Sequence, residues 1–171
     1  ALPISGLGRL RDFRISNYVL MRDMIEYCRT MDAEQILQIR DVRERVVRYF
    51  EQESLYEQML RENAEIDGDI LILDLLDVDP IRVGNRFKEY ALFPDQCISL
   101  RILWGRQRQN VVFSAGHSIL NRSSQTNVGE LMLRYGGGGH TRVGTCQVPV
   151  ADWRRVKDEL IAAMKESPCY L

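Results

Sequence analysis

The run Tyr135-Gly136-Gly137-Gly138-Gly139-His140 constrains this chain more than any other segment: four consecutive glycines, then one of only two histidines in 171 residues. Glycine has no β-carbon, so it reaches φ > 0 and lets the backbone come close to a neighbour, and four together predict a loop shaped around something. In residues 127–135, which precede it, Val128, Leu131, Met132 and Tyr135 fall on one face of a short helix. A helix C-terminus calls for one glycine in the left-handed region; that accounts for Gly136 and leaves Gly137, Gly138, Gly139 and His140 unexplained. A P-loop runs from a strand into a helix and ends in Lys followed by Ser or Thr, whereas here a helix comes first and His140-Thr141 stands in the lysine's place. No strand leads into the glycines, so a dinucleotide fingerprint fails as well.

The chain is long enough for one full domain, or for a small domain with a helical extension. A net charge of −1 with 45% hydrophobic residues excludes a disordered chain and a polybasic nucleic-acid arm. Of the 23 basic residues only Lys88, Lys157 and Lys165 are lysine, and the remaining 20 arginines favour forked recognition of anions wherever they cluster. Cys28, Cys97, Cys146 and Cys169 have neither zinc-site spacing nor a histidine partner, which predicts free thiols in a reducing cytoplasm. No stretch approaches the ~20 apolar residues of a membrane span, and no signal-peptide layout opens the chain. A cytoplasmic protein without a membrane partner is expected.

The periodicity predicts a helix over 16–29, an N-cap at Asp32 with Gln35 three residues on, and a long helix over 33–62 that contains no proline or glycine. Such a charged helix links domains, packs on a neighbouring element, or pairs two copies of the chain as a homodimer. After the turn at Asp67-Gly68-Asp69, residues 70–76 suit a buried strand. A helix is expected over 82–90, a hairpin of strands 97–103 and 110–114 about a turn at 105–109, a strand over 143–148 and a helix over 153–165. The expected fold is α/β: a mixed sheet of about four to five strands with flanking helices, preceded by a long helical linker.

The connection 114–127 gathers His117, Asn121, Arg122, Ser123 and further hydroxyl and amide groups between two regular elements. Arginine's fork with Ser, Asn and backbone amides suits a phosphate. Ser124, Thr126 or Asn127 equally suits an N-cap of the next helix. His140 can serve as proton donor, metal ligand or neutral donor to phosphate, and His117 as a structural histidine. Trp104, Tyr135 and Trp153 are candidates by type for stacking a base.

Arg122-Ser123, a short helix, and then Gly137-Gly138-Gly139-His140 resemble the C-terminal, type-1 DHH-associated domain of the DHH phosphoesterases, over about residues 69–164. That superfamily includes exopolyphosphatase-like, oligoribonuclease-like and single-strand exonuclease-like proteins. The resemblance implies a substrate-binding set of Arg122, Ser123, Gly137, Gly138, Gly139 and His140, with Asn121 and His117 beside it. It implies that two divalent metals, manganese or magnesium, sit in a separate catalytic domain. The substrate would be a phosphorylated small molecule, a short oligonucleotide or single-stranded nucleic acid, hydrolysed at a terminal phosphoester or phosphoanhydride. With His117 and His140 as its only histidines, the chain cannot contain an Asp-His-His motif. The expected division is residues 1–30 as the tail of the catalytic domain, 31–66 as the linker helix and 67–171 as the substrate domain, inactive alone. The alternatives are a non-catalytic nucleotide or nucleic-acid binding module and a helix-mediated interaction protein.

Overall fold

The computed structural model describes residues 13–82 and 84–167. Helix α1 (Asn17–Thr30) starts where the Ser16 side chain accepts the Val19 N–H, and α2 (Ala33–Gln38) opens on the expected capping box, with Asp32 and Gln35 each accepting the other's backbone N–H. The expected single helix is interrupted: Ile39 takes an extended conformation (φ −62°, ψ 126°) before α3 (Arg40–Glu62). Nothing in a proline- and glycine-free run marks that break, because β-branched Ile39 lowers helix propensity only slightly.

The sheet is mixed, as the sequence indicates, and has six strands in the order β1-β2-β3-β4-β6-β5. They are β1 (Ala64–Asp67), β2 (Ile70–Asp74), β3 (Ile98–Trp104), β4 (Asn110–His117), β5 (Gly138–His140) and β6 (Val143–Pro149). Only β2 and β3 run parallel. Strand β1 folds back on β2 about Gly68 (φ 61°), and the 3₁₀ turn Arg106–Arg108 closes the β3–β4 hairpin. Helix α5 (Val128–Leu133) joins β4 to β5, and α6 (Trp153–Glu166) follows β6.

The helix expected over 82–90 is shorter. Helix α4 is Lys88–Leu92, and the stretch before it crosses α3, where Arg82 N–H lies 3.3 Å from Met59 Sδ. A β-carbon on Gly84 would sit 2.2 Å from the Tyr56 ring, so packing on α3 holds this segment open. The free-thiol expectation holds for Cys28 and Cys146 and fails for Cys97, which is disulfide-bonded. Spacing along a chain does not report which thiols the fold brings within bonding range. Cys169 lies outside the described residues. Among them, no helix is long and apolar enough to cross a membrane.

The alternation of strand residues divides the core in two. Ile98, Leu100 and Ile102 of β3, Val111, Phe113 and Ala115 of β4, and Cys146 and Val148 of β6 pack beneath α5 and α6. On the opposite face Leu71, Leu73, Leu103 and Val112 meet Tyr56, Met59 and Leu60 of α3. That second cover stops at β4. The residues of β6 alternate between buried and exposed along its whole length, so Val143, Thr145 and Gln147 point out from a bare half-face.

Candidate functional site

The bare half-face is the floor of a cleft of about 610 Å³, bounded by α4 and the β3–β4 turn and lined by Arg86, Phe87, Arg106, Asn110, Thr145 and Gln147 among others. Beneath it lies a buried polar network. The Arg101 guanidinium donates to Glu89 Oε2, Ser99 Oγ donates to Glu89 Oε1 (2.8 Å), and Tyr90 Oη lies 3.0 Å from Ser99 Oγ and donates to the Gly116 carbonyl at 3.3 Å. Burial, with the Glu89 charge beside it, pushes the Tyr90 phenol up to about 12, so it stays a neutral donor. Burial works against charge on Arg101, and the neighbouring Glu89 carboxylate outweighs it, raising the guanidinium above its ordinary value.

The glycine run divides by role. Gly136 (φ 74°) ends α5, and the Gly137 N–H reaches back to the Met132 carbonyl at 3.0 Å, a Schellman-type closure that satisfies a helix-end acceptor. From there the chain is an edge strand as well as a loop. A β-carbon on Gly137 would lie 2.1 Å from the Thr145 carbonyl oxygen, and one on Gly139 (φ 158°) 2.2 Å from that of Val143. Close approach to β6 therefore demands both. Around Gly138 a β-carbon would meet nothing within 4 Å, so no neighbour in the fold requires that glycine.

Register joins this edge to the cleft. Gly138 pairs with Thr145, which pairs with Ser114; His140 pairs with Val143, which pairs with Gly116. Partners directly across an antiparallel ladder share a face, so Gly138 and His140 look out on the side of Thr145, Ser114 and Val143, all on the cleft floor. Two strand spacings separate His140 from Gly116, about 10 Å.

The connection 118–127 closes the end of the same region. His117 lines the cleft; its backbone N–H donates to the Arg142 carbonyl (2.9 Å) and its Nε2–H to the Thr126 carbonyl (2.8 Å). Asn121 donates to the Asp95 carbonyl (2.7 Å), and Ser123 Oγ donates to Asn121 Oδ1 (2.5 Å). Exposed Arg122 donates from Nε to the Ile119 carbonyl (3.1 Å), and its other nitrogens make no ion pair among the described residues. The N-cap of α5 is Asn127, which accepts the Glu130 N–H at 3.3 Å, rather than Ser124 or Thr126. Val128 N–H donates to the Thr141 carbonyl, and Gly129 packs against the Gly139 and His140 backbone, so this connection is tied to the glycine edge. Of the residues singled out in the sequence, only His117 lines the cleft itself. Arg86, Phe87 and Arg106 were missed: each is an unremarkable surface residue until the fold sets them around one cavity.

Burial holds the His117 imidazole below its ordinary value of 6.5, with the Thr126 bond opposing and the Arg142 charge reinforcing. The folded state thus prefers the neutral ring. That stability is present above about pH 6.5 and is lost as pH falls through the lower folded value. Urea midpoints at pH 7.5 and pH 5 should fall further for the wild type than for His117→Gln; an equal fall in both would remove His117 from the pH response.

Among the described residues no three His, Cys, Asp or Glu side chains converge. They therefore offer no ligand set for the two divalent ions that the resemblance implies. Asp74, the most buried of the acidic trio with Asp77 and Asp79, lies 3.3 Å from Lys157 Nζ and accepts the Leu76 N–H.

Fold and site together define a class: an α/β domain with a mixed sheet sheathed on one face and open over half of the other, where a glycine edge meets an arginine-bearing cleft. No protein-family model and no curated relative matches the sequence. Among solved structures, the pGpG-specific phosphodiesterase PggH from Vibrio cholerae is 44% identical with a TM-score of 0.83; the alignment covers 96% of this chain and 55% of that protein. A DHH domain from a member of a family of ribosomal proteins shares the fold at 11% identity and a TM-score of 0.53, over 85% of this chain and 36% of its own length. Over nearly its whole length the chain is similar to PggH, a DHH-family phosphodiesterase, and it fits a DHH-associated domain. It spans about half of the phosphodiesterase it matches.

Proposed function

We propose that this chain is the substrate-binding part of a metal-dependent phosphoesterase that hydrolyses a short 5′-phosphorylated oligonucleotide. The observation that carries this is the register that turns Gly138 and His140 toward the cleft floor, beside a connection whose Arg122 has its forked nitrogens free of any ion pair among the described residues. Gly138 leaves room for an anion to approach backbone, His140 and Arg122 supply donors, and the hydroxyls of Thr145 and Ser114 extend the shell. Holding the phosphate fixed and spreading its charge over such donors is what this half can contribute to catalysis. In this reading, two divalent ions held by a separate catalytic domain, as the resemblance implies, would activate the water. The dinucleotide pGpG, which the Vibrio cholerae relative's name specifies, is the first substrate to test.

Calorimetric titration with pGpG should give saturable binding. His140→Ala and Arg122→Ala, both at exposed positions that should fold normally, should each weaken it by about tenfold or more, the loss of a hydrogen bond to a charged group. Undiminished affinity in both variants would overturn the assignment of the phosphate to this edge.

A further inference from the structure

We infer that the cleft holds a nucleobase, with the Arg86–Phe87 pair as its stacking platform, so that the site selects nucleotides over inorganic polyphosphate. The inference rests on the phosphate-binding assignment above and deepens it. Three arginines line the cleft, but Arg101 is neutralised by Glu89. That leaves Arg86 and Arg106, neither ion-paired among the described residues, on a wall that also carries amides (Gln109, Asn110, Gln147), hydroxyls, apolar side chains and the Phe87 ring. A polyphosphate chain carries charge on every unit and calls for a run of cations. A neutral heterocycle calls for a flat π surface and in-plane donors and acceptors, which are what this cleft supplies.

The platform is built rather than incidental. The Arg86 guanidinium lies over the Phe87 ring at 4.7 Å from its centroid, and Phe87 keeps 39% of its surface exposed. Asn85 fixes the backbone by accepting the Phe87 N–H through its side chain (3.0 Å), and α4, which begins at the next residue, is anchored to the cleft floor through Tyr90. The aromatic residues suggested by sequence are occupied elsewhere: Trp104 Nε1–H donates to the Leu76 carbonyl, Tyr135 donates to Glu159, and Trp153 packs on the core. Along β6, Gln147 lies four residue steps, about 13 Å, beyond Val143, which is opposite His140, so a phosphate at the glycine edge and a base deeper in the cleft belong to one short oligonucleotide.

The test is calorimetric titration of the wild-type chain, Phe87→Ala and Phe87→Tyr with pGpG and, separately, with inorganic tripolyphosphate. Phe87→Ala should weaken pGpG binding at least about fivefold while changing tripolyphosphate affinity less than about twofold, and Phe87→Tyr should restore the pGpG affinity. Unchanged pGpG affinity in Phe87→Ala, or an equal loss for both ligands, would overturn the platform and leave the phosphate assignment standing. A wild-type chain that binds neither ligand would overturn the phosphate assignment, and the platform with it.

Discussion

Replacing Glu89 with alanine is expected to cost about 3–5 kcal/mol of folding stability, the largest effect of any side-chain truncation near the cleft. The Glu89 side chain is 6% exposed and that of Arg101 17%, and the carboxylate accepts from Arg101 on one oxygen and from Ser99 on the other. Removing it strands a charged guanidinium beneath the cleft, with the Tyr56 hydroxyl, at 3.3 Å, as its one remaining side-chain partner among the described residues. A buried ion pair contributes little net stability against an apolar pair of the same shape, so the double variant Glu89→Leu/Arg101→Met should recover most of the loss. Urea unfolding of the three proteins decides the matter. A single variant within about 1 kcal/mol of wild type would mean that the cleft lets water solvate Arg101 freely.

The second large effect separates glycines that the fold requires from the one it does not. Gly139→Ala should destabilise the domain by about 3 kcal/mol or more, combining a rarely populated backbone conformation with a β-carbon 2.2 Å from the Val143 carbonyl oxygen. Gly138→Ala, one residue away, meets nothing within 4 Å and should unfold within about 0.5 kcal/mol of wild type. Its cost belongs to binding, since a methyl group there stands where the phosphate is proposed to approach backbone. Thermal unfolding of both variants, with pGpG titration of Gly138→Ala, reads the two roles apart. Equal destabilisation by the two substitutions would refute the division.

These two expectations mark where sequence reasoning carried through and where it stopped. The helix before the glycines, its end at Gly136, the β3–β4 hairpin and the final helix were all legible, because each depends on periodicity or turn chemistry within a dozen residues. The capping box at Asp32 and Gln35 was legible for the same reason. The break at Ile39 was not, since no proline or glycine announces it, and neither was the open backbone at Gly84, whose close approach to Tyr56 outweighs local preference. Of the six strands, β1 and β5 escaped notice because each is too short to display a period of two.

The candidate site follows the same rule. Arg122, His140 and the glycines stand out as unusual neighbours along the chain, whereas Arg86, Phe87 and Arg106 acquire meaning only as the wall of one cleft. The sequence by itself determined a mixed α/β chain, its motif resemblance and the absence of an Asp-His-His metal motif, since these depend on residue type and short spacing. Only the tertiary structure decided that Gly137 and Gly139 answer to strand packing, that Gly138 and His140 share the sheet side of the cleft floor, and that α3 leaves half of one sheet face bare. Those facts depend on register between strands far apart in the chain, where moving the pairing by a single residue would turn every side chain to the opposite face.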